Sequence, residues 1–489
     1  MKSLVFSVVL LLYCTALVFG QSAKPLPMIQ FEESLYQLYQ KNAQADIIIN
    51  IPADALDGTA IRAMLVRDGA AKPLAEWKTK APFAARVPVS FDLSKQPKGT
   101  YRIRAELLRG KELLASAQSR PMPYNPKPKV GFNKDGFLVV AGKPFFPVGM
   151  YTLQDGKGTN HDRVLDEAHK AGFNTTVFYA YTVDTVTPLL DAAARHNIKA
   201  FVYPTIPFSV RKETLTDADA VRDVLARANK PALLGWYVVD EPEGIGKAAA
   251  QMVRDLYQLI KETDTDHPCS LVIMSPGAGA KYRMCADVIW TDPYPIPGSP
   301  AKRVADVVQG CADAMTDGKP VWAVPQAFDW SVWNTGKING VHRPTDEEER
   351  CMTYLALVHG AKGIIYWAHT GSRYYIEDYP EHWAYMKKLA GEMRDLSPAL
   401  LTVNAKRTIQ VTPKEATIDT MVKELGGQVY LFAVNRDPNA RSASFRLDGV
   451  SSKRQVEALF EGRSIQAASG SWADDFKPLE VHVYRLSAK

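Results

Sequence analysis

Between residues 130 and 400 the chain repeats one pattern. A short, nearly continuous apolar run is followed by a polar break, and then by a stretch whose apolar residues recur every three to four positions. The first suits a strand buried on both faces and the second an amphipathic helix, so the pattern predicts parallel strands covered by helices. The predicted strands are Phe145 to Tyr151, Asn174 to Ala180, Lys199 to Tyr203, Leu233 to Val239, Ser270 to Ser275, Val288 to Thr291, Pro320 to Pro325 and Gly363 to Trp367. The predicted helices run from His161 to Ala171, Thr185 to His196, Asp217 to Ala228, Gly246 to Thr263, a short one near Ala280, Ala301 to Thr316, Asp346 to Gly360 and Glu381 to Leu396. Eight strands and eight helices in alternation close a (β/α)8 TIM barrel.

On either side of this region the period falls to that of short strands. Asp46 to Ile51, Ile61 to Val66, Ala85 to Phe91, Tyr101 to Leu107 and Glu112 to Ala117 are separated by turn residues such as Pro97-Lys98-Gly99 and Arg109-Gly110. That spacing predicts an immunoglobulin-like β-sandwich over 27–126, closed off by the proline-rich joint Pro121 to Pro128. A hairpin with two Gly-centred turns, Gly131 to Pro144, precedes the barrel of 130–400. From 403 to 489 the strand pattern returns, with Thr408 to Val411, Val429 to Val434, Ala443 to Leu447, Gln455 to Ala458 and Leu479 to Leu486, and predicts a C-terminal β-sandwich domain.

Composition narrows the class. The chain has 489 residues, 46% of them hydrophobic and 23% charged, and a formal net charge of +6. Those are the proportions of a soluble protein with a large core, and the basic residues are scattered rather than gathered into a stripe, so nucleic acid is not an expected partner. Residues 1–20 combine a basic tip at Lys2, an apolar stretch from Leu4 and a small-residue exit, the form of a cleaved signal peptide. The expectation is a secreted or periplasmic protein with no membrane span once that segment is removed. Of five cysteines, Cys14 lies in that segment. Cys269, Cys285, Cys311 and Cys351 match no zinc spacing and read as buried small residues or as disulfide partners. No metal or cofactor motif is present, and the sequence gives no indication of oligomeric state.

Barrel enzymes draw reactive groups from the C-terminal ends of their strands. Those positions here are Tyr151, Tyr179, Tyr203, Asp240 and Glu241, Asp292 and Tyr294, Gln326, Trp367 and His369. Aromatic faces stack on the C–H faces of sugar rings, while carboxylates and amides bond hydroxyls, so the set points to a carbohydrate substrate. No Gly-rich loop leads into a helix and no Lys or Arg stands at these ends, which removes phosphate recognition. The abrupt end of Leu233 to Val239 in Asp240-Glu241-Pro242 is the most pointed signal. Glu241 reads as the proton-transferring group, and two adjacent acids repel, which raises the proton affinity of one of them. The long connection from Asp329 to Pro344 carries Trp330 and Trp333, either to meet substrate or to pack the loop on the barrel.

The plan from 130 to 400 resembles the large clan A of barrel glycoside hydrolases whose acid/base is the Glu of an Asn-Glu-Pro motif after strand four. Asp240-Glu241-Pro242 occupies that place. Phe146 to Tyr151 on strand one, Gly363 to Trp367 on strand eight and the flanking β domains are similar to the β-galactosidase and β-glucuronidase relatives. The resemblance implies a glycosidase with Glu241 as acid. Two positions depart from the pattern. Asp240 stands where the clan has Asn, and Gln326 stands where its retaining members place a nucleophilic Glu on strand seven. Asp292, flanked by Trp290 and Tyr294, is then the preferred second carboxylate, with Asp240 as another source and an Asp-Pro turn as the plain role of Asp292. Inverting pairs sit about 6.5 to 9.5 Å apart and retaining pairs about 5 to 5.5 Å. A barrel that has lost hydrolysis and kept sugar binding is the alternative. For Gln326 two roles are open, a substrate-contacting amide or a partner for backbone groups in the barrel mouth.

Overall fold

Leu233–Val239 is buried at every position. So are Val148–Thr152 and Ile364–Thr370, because helices cover these strands outside and large side chains fill the space inside. The computed structural model describes residues 28–37, 42–152, 160–178, 183–204, 218–228, 230–246, 249–316, 318–333, 340–371, 374–415, 417–449 and 453–488. The predicted signal segment lies outside the described residues, as does Tyr179.

The strands β1 (Val148–Thr152), β2 (Thr175–Phe178), β3 (Lys199–Val202), β4 (Leu233–Val239), β5 (Cys269–Ile273), β6 (Val288–Thr291), β7 (Val321–Ala323) and β8 (Ile364–Thr370) form a closed barrel in chain order. Every pairing is parallel, and β8 returns to β1 through Val148↔Ile364 and Gly149↔Ile365. Between and after them come α1 (His161–Ala171), α2 (Val183–Arg195), α3 (Ala218–Arg227), α4 (Ala249–Thr263), α5 (Pro276–Tyr282), α6 (Arg303–Ala314), α7 (Asp346–Val358) and α8 (Pro380–Leu400). The predicted barrel is thus the observed one. Local signals set the helix ends. Asn160 caps α1 by accepting from the Arg163 amide and left-handed Gly172 stops it, while Thr345 and Glu348 form a reciprocal capping box on α7.

Aromatic rings fill the barrel. Trp290 stacks on Trp322 with centroids 5.3 Å apart, and Phe201 meets both at 4.9 and 5.6 Å. Two glycines make room for them: a Cβ on Gly235 would stand 2.4 Å from the Phe201 ring, and one on Gly363 would stand 2.7 Å from the Trp322 indole. Such a core tolerates neither added bulk there nor removed bulk at the rings.

The chain divides into two compact units, Met1–Tyr36 with Asn42–Met122, and Gln37–Lys41 with Pro123–Lys489. In the first, Ile29–Gln37, Asn42–Ile49 and Arg86–Asp92 form one sheet, and Ala75–Lys80, Thr59–Arg67, Gly99–Arg109 and Glu112–Gln118 form another. The strands at Ile29 and Ala75 were not among the predicted runs. Polar and charged residues such as Gln30, Glu32, Glu33, Glu76, Lys78 and Lys80 interrupt their apolar pattern.

Within the second unit the C-terminal residues build a five-stranded sheet from Ile418–Leu425, Gln428–Asn435, Val481–Ser487, Arg454–Ala458 and Arg463–Ala467. A three-stranded sheet of Ile409–Thr412, Arg441–Leu447 and Ser471–Phe476 accompanies it. Phe445, Trp472 and Tyr484 form their shared core, while Phe432, Val434 and Val483 join the barrel's own apolar cluster. Cys269, Cys285, Cys311 and Cys351 are free and buried, which matches the small-residue role rather than a disulfide. Among the described residues no helix is long and apolar enough to cross a membrane.

Candidate active site

Alternation along β4 sends consecutive side chains to opposite sides. Trp236 donates its indole N–H to Asp264 at 2.8 Å, and Tyr237 turns the other way, into the ring cluster with Tyr151, Tyr203 and Trp290. The strand then ends sharply. Glu241 has φ 42° and ψ 58°, left-handed values that a residue with a Cβ adopts only under constraint. Pro242–Gly244 follow as one 3-10 turn. The Tyr282 hydroxyl donates to the Pro242 carbonyl at 3.1 Å, and the Glu243 carboxylate accepts from the Met274 amide at 2.8 Å. Contacts with the α5 and β5 regions therefore hold the turn that bears Glu241.

That turn swings Glu241 toward Asp292, which follows β6 directly. The two carboxyls are within hydrogen-bonding reach of each other. Asp292 is 5% exposed and its Oδ1 has no hydrogen-bond partner among the described residues. Burial pushes the Asp292 carboxyl well above the usual carboxylate range, and the charge of Glu241 pushes the same way. Burial also raises Glu241, with the charge of Asp240 adding to it. Two interacting acids in a poorly solvated place each favour the protonated form of the other. Asp240 itself is exposed and accepts a hydrogen bond of 2.5 Å from the Tyr237 hydroxyl, which in turn accepts one of 3.1 Å from Tyr151.

Beside the acids lies an aromatic group. Tyr294 packs edge-on against Phe328 at 5.0 Å and Trp330 at 6.3 Å, and Trp367 meets Phe328 at 4.8 Å and Tyr294 at 6.5 Å. Tyr294 is close enough for the charges of Asp292, Asp240 and Glu241 to be felt at its hydroxyl, which burial above all raises. Glu241, Asp292, Asp240, Tyr151, Tyr203, Tyr294, Trp330 and Trp367 therefore belong to one neighbourhood.

Two predicted contacts are engaged by the protein itself. Gln326 is fully buried, and its amide accepts from the Ile296 amide at 2.9 Å and donates to the carbonyls of Ile296 and Phe328 at 2.8 and 2.9 Å. Both its N–H donors are spent on backbone, so of the two roles open to it the structural one is observed. His369 is 1% exposed, bonds Thr370 at 2.8 Å and lies 3.3 Å from Glu377, between the rings of Tyr375 and Trp383. It supports the loop after β8. Tyr237 and Glu243 were missed by sequence reading. Among the described residues no group of three His, Cys, Asp or Glu could hold a metal ion.

A closed parallel barrel with an acid pair beneath the ends of β4 and β6 is the class of molecule the fold and site define. No protein-family model and no curated protein matches the chain. Solved structures similar to it are glycoside hydrolases. The β-D-glucuronidase of Dictyoglomus thermophilum is 14% identical, with 75% of this chain and 69% of that chain covered and a TM-score of 0.42. The α-amylase of Geobacillus thermoleovorans is 10% identical over 70% of this chain and 98% of that one, with a TM-score of 0.47. The Parabacteroides merdae β-glucuronidase is 10% identical over 95% and 76%, with a TM-score of 0.39. At these values nothing of their chemistry transfers to this chain.

Proposed function

We propose that the chain is an exported glycoside hydrolase acting on an oligo- or polysaccharide, with Glu241 and Asp292 as its working carboxyls and Asp240 as the charge beside them. One observation carries this reading: a half-buried Glu241, in a left-handed backbone conformation, meets a buried Asp292 at the C-terminal end of a closed barrel. Backbone held in so unfavourable a region is a mark of functional sites. Paired carboxyls with raised proton affinity suit acid catalysis near neutral pH.

In this mechanism Glu241, the more accessible of the two, passes a proton to the departing glycosidic oxygen. Asp292 is the reservoir behind it. The carboxylates stabilise the positive charge that develops on the sugar ring, water bonds to the anomeric carbon as the glycosidic bond breaks, and the proton that water gives up returns to the pair. Tyr294, Trp330 and Trp367 offer ring faces for the sugar. The signal-like segment at residues 1–20 supports export, and N-terminal sequencing of the released protein tests it.

The alternative, a barrel that binds carbohydrate without cutting it, is favoured by Gln326, whose amide replaces a strand-seven carboxylate. Sugar release from a broad glycan panel, with wild type beside Glu241→Gln, separates the two. Hydrolysis lost in the variant with binding retained supports the enzyme. Binding by both proteins with release by neither supports the alternative. The anomer released first, read by proton NMR, then assigns retention or inversion.

A further inference from the structure

The geometry points to Tyr237 as a positioning residue, backed by Tyr151: the two hydroxyls form a one-way donor chain that ends on Asp240 and holds its carboxylate beside the Glu241–Asp292 pair. The inference rests on the reading of that pair as the working site, and goes beyond it by naming what fixes the charge next to it.

The direction of the chain follows from the inventory of protons. A phenol has one O–H to give, and Tyr237 spends its own on Asp240 at 2.5 Å, so it can only accept from Tyr151, at 3.1 Å. Both phenols are buried, at 0% and 1% exposure, whereas Asp240 is exposed. The anchor is thus rigid and internal while the anchored acid faces outward. Tyr237 is itself wedged by three rings, those of Tyr151 at 5.9 Å, Tyr203 at 5.7 Å and Trp290 at 5.5 Å. A side chain held in this way passes its position to whatever it bonds.

The position has two consequences. Asp240 immediately precedes Glu241, so pinning its side chain steadies the backbone that enters the left-handed residue. Its negative charge also acts on Glu241 and Asp292, and on the hydroxyls of Tyr151 and Tyr294. The other titratable groups that face the pair are Glu243 on the same turn and Cys311 on α6, and neither bonds Tyr237 in the described hydrogen bonds. Without the Tyr237 hydroxyl, Asp240 turns toward solvent and its charge moves away from the pair.

The test is a double-mutant cycle on Tyr237→Phe and Asp240→Asn, read by two independent means. One is the pH dependence of kcat/KM on a released sugar. The other, which needs no turnover, is difference infrared titration of the protonated carboxyls, assigned with Asp292→Asn. In both single variants the pair gives up its proton at lower pH, by about one unit or tenfold in proton affinity, and the double variant moves no further than Asp240→Asn alone. Tyr151→Phe, which removes only the first donor, shifts the same titration by less and carries the test if Tyr237→Phe fails to fold. An unmoved titration in Tyr237→Phe, or shifts that add in the double variant, overturns the inference. If the wild type releases no sugar from any glycan, the kinetic arm fails with the hydrolase reading while the infrared arm still decides the role of Tyr237.

Discussion

The carboxyls of Glu241 and Asp292 meet although they come from strand ends separated by all of β5. Each acid acts on the proton affinity of the other, so the two titrate as a coupled pair rather than as independent carboxyls. Activity should therefore follow a bell. Turnover falls in acid when a second proton arrives, and falls in alkali when the last one leaves. Because burial raises both groups, the alkaline limb lies well above the ordinary carboxylate value of about 4. A profile of kcat/KM whose only limb sits near pH 4 would count against a coupled pair.

Asp292 also ties stability to pH. Its folded proton affinity is raised, so the native state keeps a proton that the unfolded chain loses. The contribution is fully present below the unfolded value of about 4 and is lost as pH rises toward the folded one. Asp292→Asn, which needs no ionisation, should stabilise the protein by about 1 kcal/mol at pH 7 and have little effect near pH 4, while abolishing turnover. Thermal melts at the two pH values check the difference.

Gln326 gives a prediction of opposite kind. Its two N–H groups satisfy the Ile296 and Phe328 carbonyls, and a carboxylate in their place would set buried acceptors against one another. Gln326→Glu should cost about 2 to 3 kcal/mol and should not raise hydrolysis. Denaturant unfolding measures the cost, and a gain of activity would restore strand seven as the source of a nucleophile.

The barrel was legible because fully buried parallel strands leave unbroken apolar runs, and Glu241 because an acid directly after such a run is conspicuous. Tyr237 was not, for the same reason. When both faces of a strand are covered, the period-two signal that says which side chain points inward disappears. The role of Gln326 depends on Ile296, 30 positions away in the chain, and no local pattern carries that. The left-handed backbone at Glu241 was equally hidden, since only Gly or Asn would have advertised it.

That conformation makes its own prediction. Glu241→Ala keeps a Cβ in the left-handed region, whereas Glu241→Gly does not, so the glycine variant should be the more stable by about 1 kcal/mol. Both should be inactive. Equal melting temperatures would mean that the turn relaxes once the carboxyl is gone.

The stack of Trp290 on Trp322, with Phe201 against both, has a bearing on traffic as well as on packing. It fills the barrel beneath the acids, so the strands enclose a packed core and not a pipe. A polymer cannot thread through it. Whatever reaches Glu241 must therefore approach from the rim at the C-terminal ends of the strands.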